Sequence, residues 1–401
     1  MDGGLHKIIR YDDEAGIDRL VTERIPADAA DQRAGRAGRV RPGLALRLWD
    51  QRDLLREQRE PEIHRVDLTP VMLDVLRWGS DPRAFGWYEA PDSRRVAKAL
   101  ALLVSMSAIV SGSGSPGPRT GRPALTEIGA LMQRLPLPPR LARILIEAKG
   151  SETARRACTA IAGGQIRHVD HHEASSSDLL HLSDLEQNRH LRRSSEQLRR
   201  VLSSGGVELV AHQTEDEFLR SVLTGFPDRV AKRRAAGDGR YQLAGGQGAM
   251  LSERSSVRTA DWIVAVDVSR GDDGRDALIH LASAIDPLWL EPTSFEVLHE
   301  YDAQADRVRA RRVARYGQLV LSEQQIAPDR EEVLSALVSS YLADPLSEES
   351  KRLLARARFA GVSIDLEAIA GRALAGRKSK GSVRLVEWLS WEERQALERE
   401  A

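Results

Sequence analysis

The run Gln32-Arg33-Ala34-Gly35-Arg36-Ala37-Gly38-Arg39 places three arginines and a glutamine within eight residues. Arginines three apart on a helical turn project in the same direction. The small residues between them let another surface come close. Guanidinium groups held this way can meet the phosphates of a nucleotide bound across a cleft, a role worth ~10³–10⁵ in turnover for an arginine finger. The bare pattern also fits an Arg-rich helix on a solvated face, so spacing alone leaves both readings open.

Other candidate chemistry is weaker. A nucleotide-binding phosphate cradle requires G-x-x-x-x-G-K-[ST] with an acidic magnesium site, and neither that string nor D-E-x-H occurs in the 401 residues. The glycine-rich stretches 112–121 and 237–248 carry no Lys-Ser/Thr in register and read as a linker and a turn. His168, His171, His172 and Glu173 lack a zinc-like spacing, and the following Ser175-Ser176-Ser177 suggests an exposed loop. No metal site is expected, and Asp272-Asp273-Gly274 reads as a turn. Cys158 is the single cysteine, within Ala157-Cys158-Thr159-Ala160-Ile161, where a buried inert thiol is the natural reading. It excludes an internal disulfide framework and a Cys-based zinc cluster.

The bulk composition gives no global preference for a polyanion, because Lys+Arg and Asp+Glu are 59 each. A nucleic-acid surface must then come from local clusters. Two stand out, Arg229–Arg240 and Arg307–Arg315, with Tyr241, Trp262 and Tyr316 near them for stacking. The second cluster also reads as a solvated helix face paired with Asp302, Asp306 and nearby acids. Hydrophobic content of 41% and charged content of 29% fit a globular chain of two to four domains. No apolar run approaches a membrane span and no signal peptide is evident, so a cytoplasmic protein without membrane contact is expected.

The elements that must position these residues follow from periodicity. Lys7–Tyr11 and Arg19–Ile25 read as a hairpin around a turn at 12–16, followed by a helix at Ala29–Gly38 and a strand at Leu44–Trp49. Val71, Leu73, Val75, Leu76 and Trp78 mark a helix with Pro70 in its first turn. A second helix is expected over Val96–Val110, before the Gly/Ser/Pro run at 111–118. Helices at Leu125–Arg134 and Pro139–Ala148 flank a proline-rich stop. Strands at Arg240–Leu243, Trp262–Val268, Ala277–Ala284 and Phe295–Tyr301 suggest a small antiparallel barrel. Helices return at Glu331–Leu342 and Lys351–Phe359.

The complete Q-R-x-G-R-A-G-R string resembles motif VI of the DEAH branch of superfamily 2 ATP-dependent RNA helicases. Its flanks resemble the same family. Gly4-Leu5-His6-Lys7, with Tyr11-Asp12 and Leu20, is similar to the hairpin before motif VI, and Pro42-Gly43 with Arg47-Leu48-Trp49 to the strand after it. Pro61-Glu62-Ile63 and Asp67-Leu68 resemble the start of the winged-helix domain. Leu125-Thr126-Glu127-Ile128-Gly129 and Leu135-Pro136-Leu137-Pro138-Pro139-Arg140 resemble the start of the helical ratchet domain. Phe226-Pro227-Asp228-Arg229-Val230-Ala231-Lys232-Arg233-Arg234, Arg240-Tyr241 and Gly245-Gly246-Gln247-Gly248-Ala249 resemble the bacterial HrpB subgroup.

The resemblance implies a multidomain α+β chain: a RecA-like α/β remnant at 1–52, a winged-helix domain at 53–112, a helical ratchet domain at 119–232, an OB-like barrel at 235–325 and a helical tail at 326–401. Gln32, Arg36 and Arg39 would face the γ-phosphate of ATP, with Mg²⁺, held by a preceding domain. Arg33 would hold the motif in place by a salt bridge or share that role. Lys7, Arg229, Lys232, Arg233, Arg240 and Tyr241 would contact single-stranded RNA. Most of the RecA-like sheet would lie outside these residues, so 1–50 are expected to be loosely held, with Ile8, Val21 and Ile25 uncovered, unless a separately encoded N-terminal helicase half covers them. The chain alone is expected neither to bind ATP tightly nor to hydrolyse it. The competing readings are a stand-alone RNA-binding or regulatory module and a truncated product without a function of its own.

Overall fold

An antiparallel hairpin opens the chain, β1 (Leu5–Asp12) and β2 (Ile17–Arg24), in register from Leu5↔Arg24 to Asp12↔Ile17. Helix α1 (Ala27–Ala37) follows Pro26 and buries only Ala29 and Ala30. These pack with Ile25, Trp49 and Leu55. In this computed structural model the described residues are 1–12, 17–50, 52–110, 121–163, 173–181, 189–270, 276–359, 361–381 and 383–399. They divide into two compact units, Met1–Leu290 and Glu291–Ala401.

Two expectations for the first fifty residues need correction. Ile25 is 1% exposed rather than uncovered, because α1 and the segment after it fold back over it, while Ile8 and Val21 are half-buried. The strand expected at Leu44–Trp49 reduces to one parallel bridge, Asp2↔Arg47. Leu44, Leu46 and Leu48, which would share one strand face, all stay exposed, so among the described residues that face packs on nothing that would hold a strand.

The next elements are helical. Helix α2 (Thr69–Arg77) carries Pro70 in its first turn, as its sequence predicts, and buries Met72, Leu73, Val75 and Leu76. Helix α3 (Ser93–Ser105) is capped by Asp92, whose side chain accepts from the Arg94 and Arg95 N–H groups. It stops at Ser105 rather than Val110, because Ser107 turns into the left-handed region at φ 57°. Strand β3 (Ile109–Val110) then pairs with β4 (Ala124–Leu125). Thr126 caps α4 (Glu127–Arg134). Gly129 is required there: a Cβ would lie 2.0 Å from the Ala108 carbonyl oxygen.

Helices α5 (Pro139–Glu147), α6 (Glu152–Ala162), α7 (Arg189–Ser204) and α8 (Glu215–Gly225) build a second helical layer. Ile144, Leu145, Phe218 and Val222 are its fully enclosed side chains. A capping box between Thr214 and Glu217 starts α8.

Five strands close a barrel: β5 (Val230–Arg233), β6 (Arg240–Leu243), β7 (Gly248–Leu251), β8 (Trp262–Arg270) and β9 (Ala277–Ala284). The order around it is β5-β6-β7-β9-β8 and back to β5, with β7–β9 parallel and the other pairs antiparallel. Tyr241, Ile263, Val268, Ile279 and Ala282 fill it. The segment around Ser177 lies on the barrel rather than forming the exposed loop its serines suggest. Ser177 and Asp178 are fully buried, and Asp178 accepts from Ser255 Oγ, Ser256 N and Oγ, and Ala282 N at 2.6–2.8 Å. Strand β2 joins the barrel edge by parallel pairing of Asp18 and Arg19 with Ser269 and Arg270.

The strand expected at Phe295–Tyr301 does not enter this barrel. It forms β10 (Ser294–Asp302) of a separate antiparallel meander with β11 (Arg307–Tyr316) and β12 (Leu319–Ile326) in the second unit. Val308 and Tyr301 there cluster with Leu337 and Val338 of α9 (Arg330–Ala343) and with Ala370 and Leu374 of α11 (Leu366–Leu374), which is what draws these strands into their own core. Helices α10 (Glu348–Phe359) and α12 (Trp391–Arg399) complete the unit. Among the described residues no helix is long and apolar enough to cross a membrane.

Candidate phosphate-contacting site and nucleic-acid surface

The outer face of α1 borders a cleft of about 350 Å³ lined by His6, Gln32, Arg33, Arg36, Arg59 and Arg65, with Ile8 and Ala29 at its apolar side. Four guanidinium groups border this concavity, three of them paired with Asp2, Asp28 and Glu62, and such a grouping has the chemistry to meet an anion. Arg33 is held by Asp2 at 3.0 Å and by the Leu5 carbonyl at 3.3 Å, the anchoring role that the sequence left as one of two options. The Gly4 N–H and, after it, Arg33 hold the Asp2 carboxyl below its ordinary value against the opposing effect of burial. Arg36 is exposed and has no hydrogen-bond or ion-pair partner among the described residues.

Arg59 enters from the segment after α1. Its Nη2 donates to Gln32 Oε1 at 2.8 Å, and its Nε lies 3.3 Å from Asp28. Gln32 thus has its carbonyl oxygen engaged and its amide nitrogen left as a donor. Arg65 pairs with Glu62 at 2.8 Å. Helix α1 ends at Ala37, so Arg39 falls beyond it and is not among the residues that line this cleft. The helical i, i+3 geometry therefore holds for Arg33 and Arg36 but not for Arg36 and Arg39. His6, Arg59 and Arg65 were missed in the sequence. Arg59 is 27 positions from Gln32, and no local pattern signals that pairing.

The proposed RNA-contacting residues separate into two groups. Lys7, Arg240 and the half-exposed Lys232 remain at the surface, with Lys232 Nζ 5.0 Å from the Trp262 ring centroid. The others are taken up by the fold. Tyr241 is 0% exposed and its hydroxyl donates to the Ala260 carbonyl at 2.7 Å, so its ring is barrel core and presents no stacking face. Trp262 is buried as well. Arg233 lies over Tyr241 and donates to the Arg258 and Ala260 carbonyls at 2.8 and 2.9 Å. Arg229 is buried, donating to the Val266 carbonyl at 3.1 Å.

The basic run Arg307–Arg315 is strand β11, not a helix face. Arg309 pairs with Asp302, Arg311 with Glu300 and Glu323, and Arg315 with Glu296, which neutralises most of the cluster. His168, His171 and His172, and Asp272-Asp273-Gly274, lie outside the described residues. Among the described residues no group of His, Cys, Asp and Glu could hold a metal ion. Cys158 is buried, as expected, and burial pushes its thiol up to about 12.

No family model matches the chain. It is 31% identical over 357 residues, 86% of its length, to the ATP-dependent RNA helicase HrpB of Escherichia coli, and a crystal structure of the E. coli DExH-box NTPase HrpB superposes on 99% of it with a TM-score of 0.64 at 26% identity. The chain is related to the HrpB-like DEAH-type helicases. The ATP-dependent RNA helicase HrpA of E. coli is 26% identical over 386 residues, 81% of this chain. A second HrpB crystal structure, described as a DEAH/RHA helicase, shares the fold at a TM-score of 0.65. The chain spans less than half the length of these curated relatives, 41% of HrpB and 29% of HrpA. The similarity to the HrpB structure runs through both units.

Proposed function

We propose that residues 1–401 act as the C-terminal part of an ATP-dependent RNA helicase of the HrpB-like kind. Gln32, Arg36 and Arg39 serve as motif VI, meeting the γ-phosphate of ATP bound with Mg²⁺ to a phosphate loop supplied by polypeptide outside these residues. The observation that carries the reading is Arg36, exposed and unpaired among the described residues, at a cleft lined by three further arginines. A guanidinium kept free of carboxylates costs nothing to redirect onto a phosphate when the cleft is closed by another domain. Arg33, tied to Asp2, fixes the helix that presents it.

The remaining regions supply the RNA path. Helices α2–α3 with the β3–β4 pair act as the winged-helix domain, α4–α8 as the ratchet, and the five-stranded barrel as an OB-like cap. Lys7 and Arg240, with the half-exposed Lys232, give that path its surface cations. The test is RNA-stimulated phosphate release by this chain mixed with a polypeptide carrying the HrpB-type phosphate-loop domain. Hydrolysis should appear in the mixture and fall by roughly 10³ with Arg36→Ala. Hydrolysis that is indifferent to Arg36 would refute the motif VI assignment. Hydrolysis by the chain alone, above that of a variant lacking Arg36 and Arg39, would refute its dependence on an external phosphate loop.

A further inference from the structure

Helix α1 starts without a side-chain cap, because Pro26 stands at its N-cap position. Its first two N–H groups are met instead from a distant stretch of the chain. Ala27 N donates to the Arg56 carbonyl at 2.7 Å and Asp28 N to the Glu57 carbonyl at 3.2 Å. The same stretch is fixed on its other side. Leu55 packs with Ile25, Ala29 and Ala30, Arg56 reaches Glu23 at 3.3 Å, and Glu60 pairs with Arg10 of β1 at 2.6 Å. Arg59 therefore leaves a backbone held at both flanks, unlike an arginine that swings freely on a surface.

Asp28, Gln32 and Arg36 lie four residues apart on α1 and share one face. Arg59 spans the first two: its Nε is 3.3 Å from Asp28, and its Nη2 donates to Gln32 Oε1 at 2.8 Å. The chemistry of the pair dictates which end of the amide is engaged. A guanidinium has donors and no acceptor, so Gln32 can meet it only with its oxygen. The amide nitrogen of Gln32 has no partner among the described residues, and Gln32 lines the same cleft as Arg36 and Arg59. An unrestrained exposed amide turns either end outward. A hydrogen bond from a charged donor biases that choice by roughly tenfold.

We propose that Arg59 is a positioning residue that fixes the Gln32 side chain as a hydrogen-bond donor to a phosphate oxygen in the α1 cleft. With its oxygen turned to Arg59, Gln32 offers the cleft N–H groups rather than an acceptor. It then steadies the anion instead of orienting a water molecule through that oxygen. Asp28 belongs to the device, because it holds the Nε of Arg59 while the end of the fork reaches Gln32. Arg59 stands 27 positions from Gln32 and outside the motif string, so the motif does not supply this restraint by itself. That the phosphate belongs to a nucleotide rests on the motif VI reading above; the orientation of the amide does not.

The experiment is side-chain NMR of the full chain, isotope-labelled at glutamine nitrogen, with inorganic pyrophosphate as the anion. The Gln32 amide signals are identified by their loss in Gln32→Ala, and thermal melts check that each variant folds. In wild type these signals should stand apart from those of a free glutamine side chain and move as pyrophosphate is added. Arg59→Met should return them to the free position. Arg65→Met, an equal charge change on the same cleft, should leave them in place. Losing one arginine should weaken the pyrophosphate midpoint about 2–5-fold in either variant. Arg59→Met should lose a further factor of about 2–10, the cost of ordering a released glutamine side chain. That further loss should vanish in the Gln32→Ala background. Gln32 signals that ignore Arg59→Met, or that ignore pyrophosphate in wild type, overturn the proposal, as does a further loss that persists without Gln32. The motif VI reading fails separately. No hydrolysis in the mixture with the phosphate-loop polypeptide, while these signals behave as stated, removes the nucleotide and leaves the Arg59–Gln32 contact standing.

Discussion

Replacing Asp228 by asparagine removes one half of the ion pair that joins the helical layer to the barrel. Arg140 on α5 donates to both Asp228 oxygens, at 2.6 and 2.8 Å, and lies 5.3 Å over the Phe226 ring. Helices α5 and α8 come close enough there that a Cβ on Gly225 would sit 2.5 Å from the Arg140 carbonyl. Arg140 has 8% of its side chain exposed and Asp228 has 33%. Breaking a buried pair from one side costs about 3–5 kcal/mol, and the partial exposure of Asp228 reduces this to about 2–4 kcal/mol. For a unit of this size the melting temperature should fall by roughly 5–10 °C.

Acid dependence offers a second readout of the same pair. Burial alone would raise the Asp228 carboxyl, but Arg140, assisted by Arg229, outweighs it and holds the group below its ordinary 3.8. A carboxyl depressed in the folded state stabilises above its unfolded pKa, and that contribution is lost as pH falls through the folded value. Urea melts at pH 7 and at progressively lower pH should therefore converge for wild type and Asp228→Asn in strong acid. The double variant Arg140→Met/Asp228→Leu should be much less destabilised than either charge-removing single change. A stability loss for Asp228→Asn below about 0.5 kcal/mol, the range of an ordinary surface change, would refute the joint.

Other expectations follow from single residues. Arg36→Ala should leave the melting temperature within the small range of surface substitutions, since Arg36 touches nothing that holds the fold; differential scanning fluorimetry decides this. Cys158 should resist a thiol reagent at pH 8 in the folded chain and react only on unfolding, because its thiol is pushed up to about 12 and is buried. Tyr241→Phe should cost about 1 kcal/mol through the lost Ala260 hydrogen bond and leave RNA affinity unchanged; a large loss of affinity with intact stability would restore the stacking role. Asp178→Ala strands several buried donors and should destabilise by about 2–4 kcal/mol in denaturant melts.

Periodic and capped segments were legible in the sequence. The hairpin at the start, α1, α2, α5, the three central barrel strands and the two helices after Pro328 are read correctly from alternation, helical spacing and proline position. Closure of the barrel was not legible. In the sequence Val230–Arg233 reads only as part of a basic motif, and Gly248 only as the end of a turn at 237–248, because both strands are short and their partners lie elsewhere in the chain. Assigning Phe295–Tyr301 to the barrel failed for a related reason: even strand spacing says nothing about which core a strand joins. Of the residues lining the cleft, the motif string contains Gln32, Arg33 and Arg36, while Arg59, Arg65 and His6 depend on how 1–65 fold back on themselves. Tyr241 shows the opposite limit, since an aromatic beside arginines reads alike whether it stacks on a base or under its own guanidinium.

On the proposed reading, the arginines on α1 belong to an ATP-driven RNA helicase whose phosphate loop lies outside residues 1–401. Sequencing the DNA upstream of the Met1 codon and translating all three forward frames tests it most directly. A G-x-x-x-x-G-K-[ST] followed by a D-E-x-H is expected in one of those frames, close enough to complete a HrpB-like protein. Upstream sequence without either motif would contradict it and leave an RNA-binding chain whose arginines meet no nucleotide.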